Sequence, residues 1–236
     1  MLTAFVNRIA SLSKIRTFEL NGLTYSNANG LSRIKLPAQM SPKLREFETL
    51  SAIIEYIEEV PTEGLFLSVL SPVIIDLFGP MEPGNDNVQF HYARAGMGLS
   101  NFGFNHDHEL EPFIIQLLAM FDESEDKDLI IGMLSHLANE NVISNRDDGN
   151  SQSLQVKTSL TTKANETVKN PVMLKPFRTF REVAQPESGF ILRYKNAGGR
   201  ILASLTEADG GAWQLEAIKN IKEFLKSNTT NIKVIG

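Results

Sequence analysis

The hydrophobic periodicity changes along the chain, and this change constrains the fold more than any other feature. Residues 2–13 and 44–57 place apolar side chains at helical spacing, and the second of these predicted helices opens after Pro42. Between them, Asn21-Gly22 separates two alternating runs and predicts a β-hairpin. The apolar runs LFLSVL and VIIDLF then indicate buried strands. The first half of the chain therefore mixes helices with strands.

The second half is richer in strand patterns. Helices are predicted over 109–121 and 125–138, and Ser124 suits the N-cap of the second. Alternating runs follow from residue 140. A last helix, WQLEAIKNIKEFLK, is predicted with one apolar face made of Leu215, Ile218, Ile221 and Leu225. We expect an α+β fold of mostly antiparallel sheet with about four to five helices and a β-rich second half. Residues 1–139 form a helical, acidic α+β region and residues 140–236 a β-rich region with a C-terminal helix, or both form one continuous domain.

The composition excludes several classes of protein. The chain has no cysteine, which rules out disulfides, thiolate metal sites and cysteine nucleophiles. No apolar run approaches the roughly 18 residues of a membrane-spanning helix. The N-terminus lacks the continuous apolar segment of a secretory signal. We therefore expect a soluble intracellular protein, with no membrane partner and no cofactor.

Charge is segregated along the chain. Residues 1–45 hold seven lysines and arginines and one acid, whereas residues 46–126 hold sixteen acids and one cation, Arg94. Residues 127–236 hold fifteen cations and eleven acids. Three interpretations stay open. Opposite charges pack within one chain, a basic face of one subunit meets an acidic face of the next, or the surface is patchy and solvated.

The segment FNHDHELEPF sets His106 and His108 two residues apart among three carboxylates, those of Asp107, Glu109 and Glu111. On a strand, residues i and i+2 share a face, so the two imidazoles could bind one metal with a third ligand from elsewhere. The alternative is that the acids lead into a helix, because negative charge is favourable at a helix N-terminus. The helix explanation needs no metal. We therefore assign no catalytic or metal site, and His106 and His108 stay the metal candidates.

Basic and aromatic side chains alternate in KNPVMLKPFRTFREV and GFILRYK. Such alternation is typical of surfaces that contact phosphates and stack bases. It is equally typical of strands that bury their aromatic side and expose their charged side. Contact with the acidic residues 46–126 is a third interpretation. The sole tryptophan, which follows Gly210-Gly211, is either a core anchor or an interface anchor. The predicted interaction surface consists of Phe177, Arg178, Phe180, Arg181, Arg193 and Trp213.

Three stretches, NRDDGNSQSLQVKTSL, NPVMLKPFRTFREVAQPESGFILR and EADGGAWQLEAIKNIKEFL, together resemble a family of uncharacterised bacteriophage and prophage proteins. The similarity is specific over residues 140–226 and looser over 1–139. The family has no established catalytic motif, so the resemblance implies no functional residue. It implies a phage gene product, often encoded among early, replication or recombination genes, that acts in the cytoplasm of the infected host.

These observations favour a non-enzymatic phage protein that self-associates into a homo-oligomer or larger assembly. The expected contact joins the acidic residues 46–126 to basic strands of 157–200. Three alternatives come from other classes. They are a nucleic-acid-binding accessory of phage replication or recombination, a counter-defence protein that binds a host protein or signalling nucleotide, and a metal-dependent hydrolase centred on His106 and His108.

Overall fold

The structure is a computed structural model that describes residues 16–20, 23–26, 32–33, 43–60, 63–81, 89–98, 101–139, 141–147, 151–157, 163–198 and 200–236. Within these residues it contains four helices and fifteen strands, and all but two of the strand pairs are antiparallel. The predicted α+β class with mostly antiparallel sheet is confirmed. The helix predicted at residues 2–13 lies outside the described residues.

A small sheet near the N-terminus contains β1 (Thr17–Leu20), β2 (Leu23–Ser26) and β3 (Ser32–Arg33). β1 and β2 pair antiparallel with Leu20 opposite Leu23, so the predicted hairpin is confirmed. β3 pairs with β2 on its other side.

Five strands form the first large sheet: β4 (Arg45–Phe47), β5 (Phe66–Ser71), β6 (Ile74–Met81), β7 (Gln89–Gly96) and β15 (Lys233–Ile235). Their spatial order is β15-β5-β6-β7-β4, with parallel outer pairs and antiparallel inner pairs. Helices α1 (Leu50–Glu59) and α4 (Trp213–Asn228) pack on this sheet. Alternate residues of the inner strands, such as Leu67, Ile75 and Leu77, enter the core because successive strand side chains point to opposite faces.

Helix α1 begins later than its sequence pattern predicts. Residues 45–47, which we expected inside the helix, pair with β7 as the strand β4. Thr49 caps the helix by accepting a hydrogen bond of 3.2 Å from the N–H of Ala52. The Glu182 carboxylate accepts bonds of 2.7 Å from the N–H groups of both Leu50 and Ser51. The predicted helix over 44–57 was therefore wrong in its first six residues, because residues 45–47 pair as a strand and a distant carboxylate binds the first N–H groups of the helix.

The second large sheet contains β8 (His108–Glu109), β12 (Val172–Leu174), β13 (Ser188–Ala197) and β14 (Arg200–Glu207), in the order β12-β13-β14-β8. Helices α2 (Leu110–Met120) and α3 (Glu125–Asn139) pack against it, which confirms both predicted helices. The predicted N-cap is also confirmed, since Ser124 Oγ accepts a bond of 3.2 Å from the N–H of Lys127. The fourth sheet is an antiparallel meander of β9 (Asn141–Asp147), β10 (Ser151–Lys157) and β11 (Lys163–Lys169).

Helix α4 is where the sequence predicts it, but its buried face is different. Ala217, Ile221 and Leu225 are fully buried against the first large sheet. Leu215, which we expected on the buried face, is 76% exposed. It precedes Ala217 by two residues, and two residues on a helix turn the side chain through more than half of a revolution. The expectation for Leu215 was therefore wrong.

Each large sheet has its own hydrophobic core. The first core joins residues from 50–95 to Phe180, Val183, Ile221 and Leu225. The second core joins residues from 102–137 to residues from 172–205. Both cores thus draw on residues before and after position 139, where the sequence pattern changes. Among the described helices, none combines the length and the apolar character that crossing a membrane requires.

Candidate functional site

Residues 175–187 connect β12 to β13, and we call this segment the junction loop because it contacts both cores. Gln185 organises it. Its side-chain oxygen accepts bonds from the N–H groups of Arg178 at 3.2 Å and Thr179 at 3.4 Å. Its amide nitrogen donates to the carbonyl groups of Phe180 at 3.0 Å and Val183 at 3.1 Å. Because all of these groups are buried, their pairing gives the loop a fixed shape.

One side of the junction loop inserts into the first core. Phe180 is 1% exposed and packs in that core together with Val183. Thr179 Oγ1 donates a bond of 2.6 Å to the carbonyl of Pro72, in the turn between β5 and β6. Glu182 caps α1, and the Ser51 hydroxyl donates a further bond of 2.5 Å to it. The junction loop therefore contacts the first core, the turn between β5 and β6, and the start of α1.

Arg178 extends from the junction loop toward the second large sheet and is 8% exposed. Its guanidinium donates to the Glu207 carboxylate and to the Ser188 hydroxyl. The guanidinium carbon lies 4.1 Å from the centre of the Trp213 ring and 5.6 Å from that of Phe190. Arg178 thus ties the start of α4 to β13 and β14.

Two acids, Glu207 and Asp209, lie near Arg178 and interact with its charge. Burial lowers the pKa of Arg178, and the charge of the Glu207 carboxylate opposes this shift. Burial raises the pKa of Asp209, but hydrogen bonds from Ser188 and from the N–H groups of Gly211 and Trp213 outweigh it. The pKa of Asp209 consequently lies below its usual value of 3.8. Both acids and the arginine act as a charged structural network.

The exposed part of the junction loop borders a cleft of about 500 Å³. Phe177 and Arg181 line it from the loop, and Glu48 and Met97, which directly follow β4 and β7, line it as well. The Arg181 guanidinium carbon lies 3.9 Å from the centre of the Phe177 ring. Three residues of the predicted interaction surface, Phe177, Phe180 and Arg181, therefore meet at this cleft.

The structure corrects part of the predicted interaction surface. Arg178 is 8% exposed and Phe180, at the base of the cleft, is 1% exposed, so neither offers more than a trace of surface to a partner. Trp213 is half-buried beneath Arg178, and Arg193 is half-buried on β13. The ring of Phe190 is also fully buried, so the alternating aromatics do not form a platform for stacking bases.

Opposite charges from the acidic and basic regions also pair within the chain. Lys195 of β13 forms an ion pair with Asp107, and Arg200 of β14 lies 2.7 Å from Glu109. These pairs lie where β8 joins β14. Two cations that we expected to meet a neighbouring subunit therefore already have partners of their own.

The two candidate histidines have different environments. His106 is exposed, whereas the ring of His108 packs against Phe102 and Phe113 with centroid distances of 5.3 and 6.0 Å. Its Nε2 lies 3.0 Å from the carbonyl oxygen of Gly103. No three His, Asp or Glu side chains among the described residues come close enough to hold a metal ion. His108 therefore has a packing role in this fold.

A charged cluster that the sequence did not indicate lies on the first large sheet. Asp76 of β6 is 1% exposed, and its two carboxylate oxygens accept bonds of 2.7 and 2.9 Å from Arg94 of β7. His91 Nε2 lies 2.9 Å from the same carboxylate, and its ring stacks on Phe78. Burial raises the pKa of Asp76, but the bonds from Arg94 and the charge of His91 bring it below the usual 3.8.

The Asp76 cluster predicts how stability depends on pH. A carboxylate with a lowered folded-state pKa stabilises the fold above its unfolded-state pKa, and this contribution is lost as the pH falls through the folded-state pKa. We expect the unfolding free energy to fall less steeply below about pH 4 in Asp76→Asn than in the unmodified protein. Arg94→Gln removes the paired cation but keeps the buried carboxylate, whose pKa burial then raises, so its slope should be reduced at least as much. Urea titrations across this range measure both slopes, and equal slopes in all three proteins would contradict the prediction.

Helix α2 carries apolar side chains on its outer face as well as on the face that packs in the second core. Its sequence LEPFIIQLLAM contains only two polar side chains, Glu111 and Gln116. One face packs in the second core, but Ile115 and Leu118, three residues apart on the outer face, are 56% and 57% exposed. Leu129 of the neighbouring α3 is 70% exposed. We call Ile115, Leu118 and Leu129 the α2–α3 surface.

We did not predict the α2–α3 surface from the sequence, although the apolar pattern of α2 indicates it. A helix that covers a sheet needs an apolar stripe only about 100° wide. The pattern of α2 exceeds this, because Ile114, Ile115, Leu117 and Leu118 together occupy more than one side of the helix. This wider face leaves Ile115 and Leu118 exposed beside the part that packs in the second core.

No protein-family model matches the chain, and neither a curated protein nor a solved structure matches it significantly. The resemblance to phage and prophage proteins therefore stays a prediction.

Proposed function

We propose that the chain is a non-enzymatic, phage-encoded protein of the host cytoplasm that self-associates into a homo-oligomer or larger assembly. The α2–α3 surface carries this proposal. Ile115 and Leu118 lie one turn apart on α2, and Leu129 is exposed on α3, which contacts α2. Exposed apolar side chains that lie together are typical of protein–protein contacts. Covering each of them is worth somewhat less than the roughly 1.5–3 kcal/mol of a full burial, because each is already partly buried. A second copy of the chain that covers all three would gain this apolar burial, and further contacts around them would have to offset the freedom lost on association.

The charged clusters support a structural rather than a catalytic role. Arg178 and Asp76 are the most deeply buried charged groups of the two clusters. Both carboxylate oxygens of Asp76 and the Nη1 and Nη2 atoms of Arg178 bond to neighbours in the same chain. A catalytic acid or base needs free access to a substrate atom. These two side chains are instead enclosed by their own ion pairs. The proposal therefore assigns them to stability.

The α2–α3 surface also modifies the expected contact. Ile115 and Leu118 lie in the acidic region 46–126, as we expected for one partner, and Leu129 lies three residues beyond it. The basic strands of 157–200 are less suited to the other side, because Arg178 and Lys195 pair within the chain. The proposal therefore keeps self-association and moves its centre to α2 and α3.

Leu118→Glu combined with Leu129→Glu tests the proposal. Both side chains are exposed, so the fold should persist. A contact between copies would bury the two new carboxylates, and the cost of burying them should prevent that contact. We expect the mass measured by light scattering to fall from that of several chains to 26.3 kDa.

Leu70→Glu is the matched control, because Leu70 is 54% exposed but lies on β5 of the first large sheet. It should leave the assembly intact. Dissociation by Leu70→Glu but not by the double variant would refute the α2–α3 contact.

A further inference from the structure

Helix α4 presents a second surface whose chemistry differs from that of α2 and α3. Leu215, Lys219, Lys222 and Lys226 follow the helical spacing i, i+4, i+7 and i+11, so they share one side of the helix. We call these four residues the α4 stripe. Leu215 is 76% exposed, which makes it the most exposed large apolar side chain in the described part of the chain.

The α4 stripe is held on a rigid element. The opposite side of α4 is anchored in the first core by Ala217, Ile221 and Leu225. At the start of the helix, the Trp213 ring lies beneath the guanidinium of Arg178. A partner that binds Leu215 therefore meets a preformed surface and orders little on binding.

The surroundings of the α2–α3 surface carry the opposite charge. Glu111 lies on the same helix as Ile115, and Glu125 and Asp128 precede Leu129 on α3 by four residues and by one. All three acids are exposed. Two copies that joined through this same surface would bring their acids together, and like charges facing each other destabilise a contact. An isologous contact is thus disfavoured.

We infer that the α2–α3 surface of one copy binds the α4 stripe of the next copy, so that the assembly is head-to-tail. This inference rests on the proposed function. Leu215 would complete the apolar centre, while Lys219 and Lys226 would face the acids. Lys222 donates a bond of 2.5 Å to the carbonyl of Gly236, and Lys219 lies 3.9 Å from Glu223, so the stripe keeps these internal contacts as well.

A head-to-tail contact has a distinct consequence. The α2–α3 surface lies on helices that pack in the second core, and the α4 stripe lies on a helix that packs in the first core. Two bound copies therefore keep one free α2–α3 surface and one free α4 stripe. Such contacts produce a ring if the rotation between copies closes, and a filament if it does not. Because charged groups surround the contact, we expect association to weaken as salt concentration rises.

The test mixes two variants that each lose one surface. The first carries Leu118→Glu and Leu129→Glu, and the second carries Leu215→Glu and Lys219→Glu. Alone, each should have the mass of one chain, 26.3 kDa. Their equimolar mixture should form a complex of two chains and nothing larger, because only one intact contact remains between them. Light scattering measures the masses, and circular dichroism confirms that both variants are folded.

The outcomes separate the inference from the proposed function. If the second variant assembles like the unmodified protein, or if the mixture stays at the mass of one chain, the α4 stripe is not the partner surface. The proposed function still stands in both cases, provided that the first variant alone dissociates. If the unmodified protein is a monomer, both fail. Lys219→Gln with Lys226→Gln gives a milder second test, and an unchanged salt dependence of association in this variant overturns the inference.

Discussion

Replacing Phe180 with alanine is expected to lower the free energy of unfolding by about 3–5 kcal/mol. Phe180 is 1% exposed and packs in the first core, although it belongs to the loop between two strands of the second large sheet. Its loss leaves a cavity where the junction loop enters that core. Chemical denaturation followed by circular dichroism measures the change.

Phe177→Ala provides the matched control for Phe180→Ala. Phe177 lies in the same loop but is only half-buried, beside the exposed Arg181. Its replacement removes a ring of the same size without opening a core cavity, so the loss should be clearly smaller. Equal losses of unfolding free energy in the two variants would show that packing of Phe180 in the first core does not stabilise the fold.

Arg178→Ala is the second variant with a large expected effect. It breaks the ion pair with Glu207 and the contact with Trp213. Breaking a buried pair typically costs about 3–5 kcal/mol, but the Glu207 side chain is 36% exposed, so solvent screening reduces the effect. We expect a loss of about 2–3 kcal/mol in unfolding free energy.

Arg181→Ala is the matched control for Arg178→Ala. It removes an arginine from the same loop, but an exposed one, so a difference between the two variants reports the effect of burial. Arg181 is exposed, and its contact with Phe177 is worth about 0.5–1 kcal/mol. Thermal and urea denaturation of both variants give the comparison. A loss for Arg181→Ala that matched that for Arg178→Ala would contradict the assignment of Arg178 to a buried network. Charge reversal at Arg178 would accordingly unfold the protein rather than dissociate an assembly.

Local patterns were sufficient for much of the fold. The spacing of apolar residues predicted α2, α3 and α4, and Asn21-Gly22 predicted the hairpin of β1 and β2. Each of these elements is determined by residues close together in the chain. The start of α1 was not predictable in this way. Its first N–H groups bond to Glu182, 132 residues away from Leu50, and no local pattern contains that contact.

Contacts between residues distant in the chain also decide which candidate surface residues are exposed. Arg178 and Phe180 were expected to be accessible because cations and aromatics alternate around them. In the structure they turn into two different cores, which depends on the path of the junction loop and on Gln185. Leu215 was expected in the core because it shares an approximate helical spacing with Ile218. Only the packing of Ala217 and Ile221 on the sheet decides which side of α4 faces water.

The most direct test of the account is the mass of the unmodified chain in solution. Size exclusion with light scattering, over a range of protein concentrations at low and high salt, gives this mass. Self-association through the α2–α3 surface predicts a mass of several chains that falls toward 26.3 kDa on dilution and falls earlier at high salt. A mass of 26.3 kDa at every concentration and salt would contradict it.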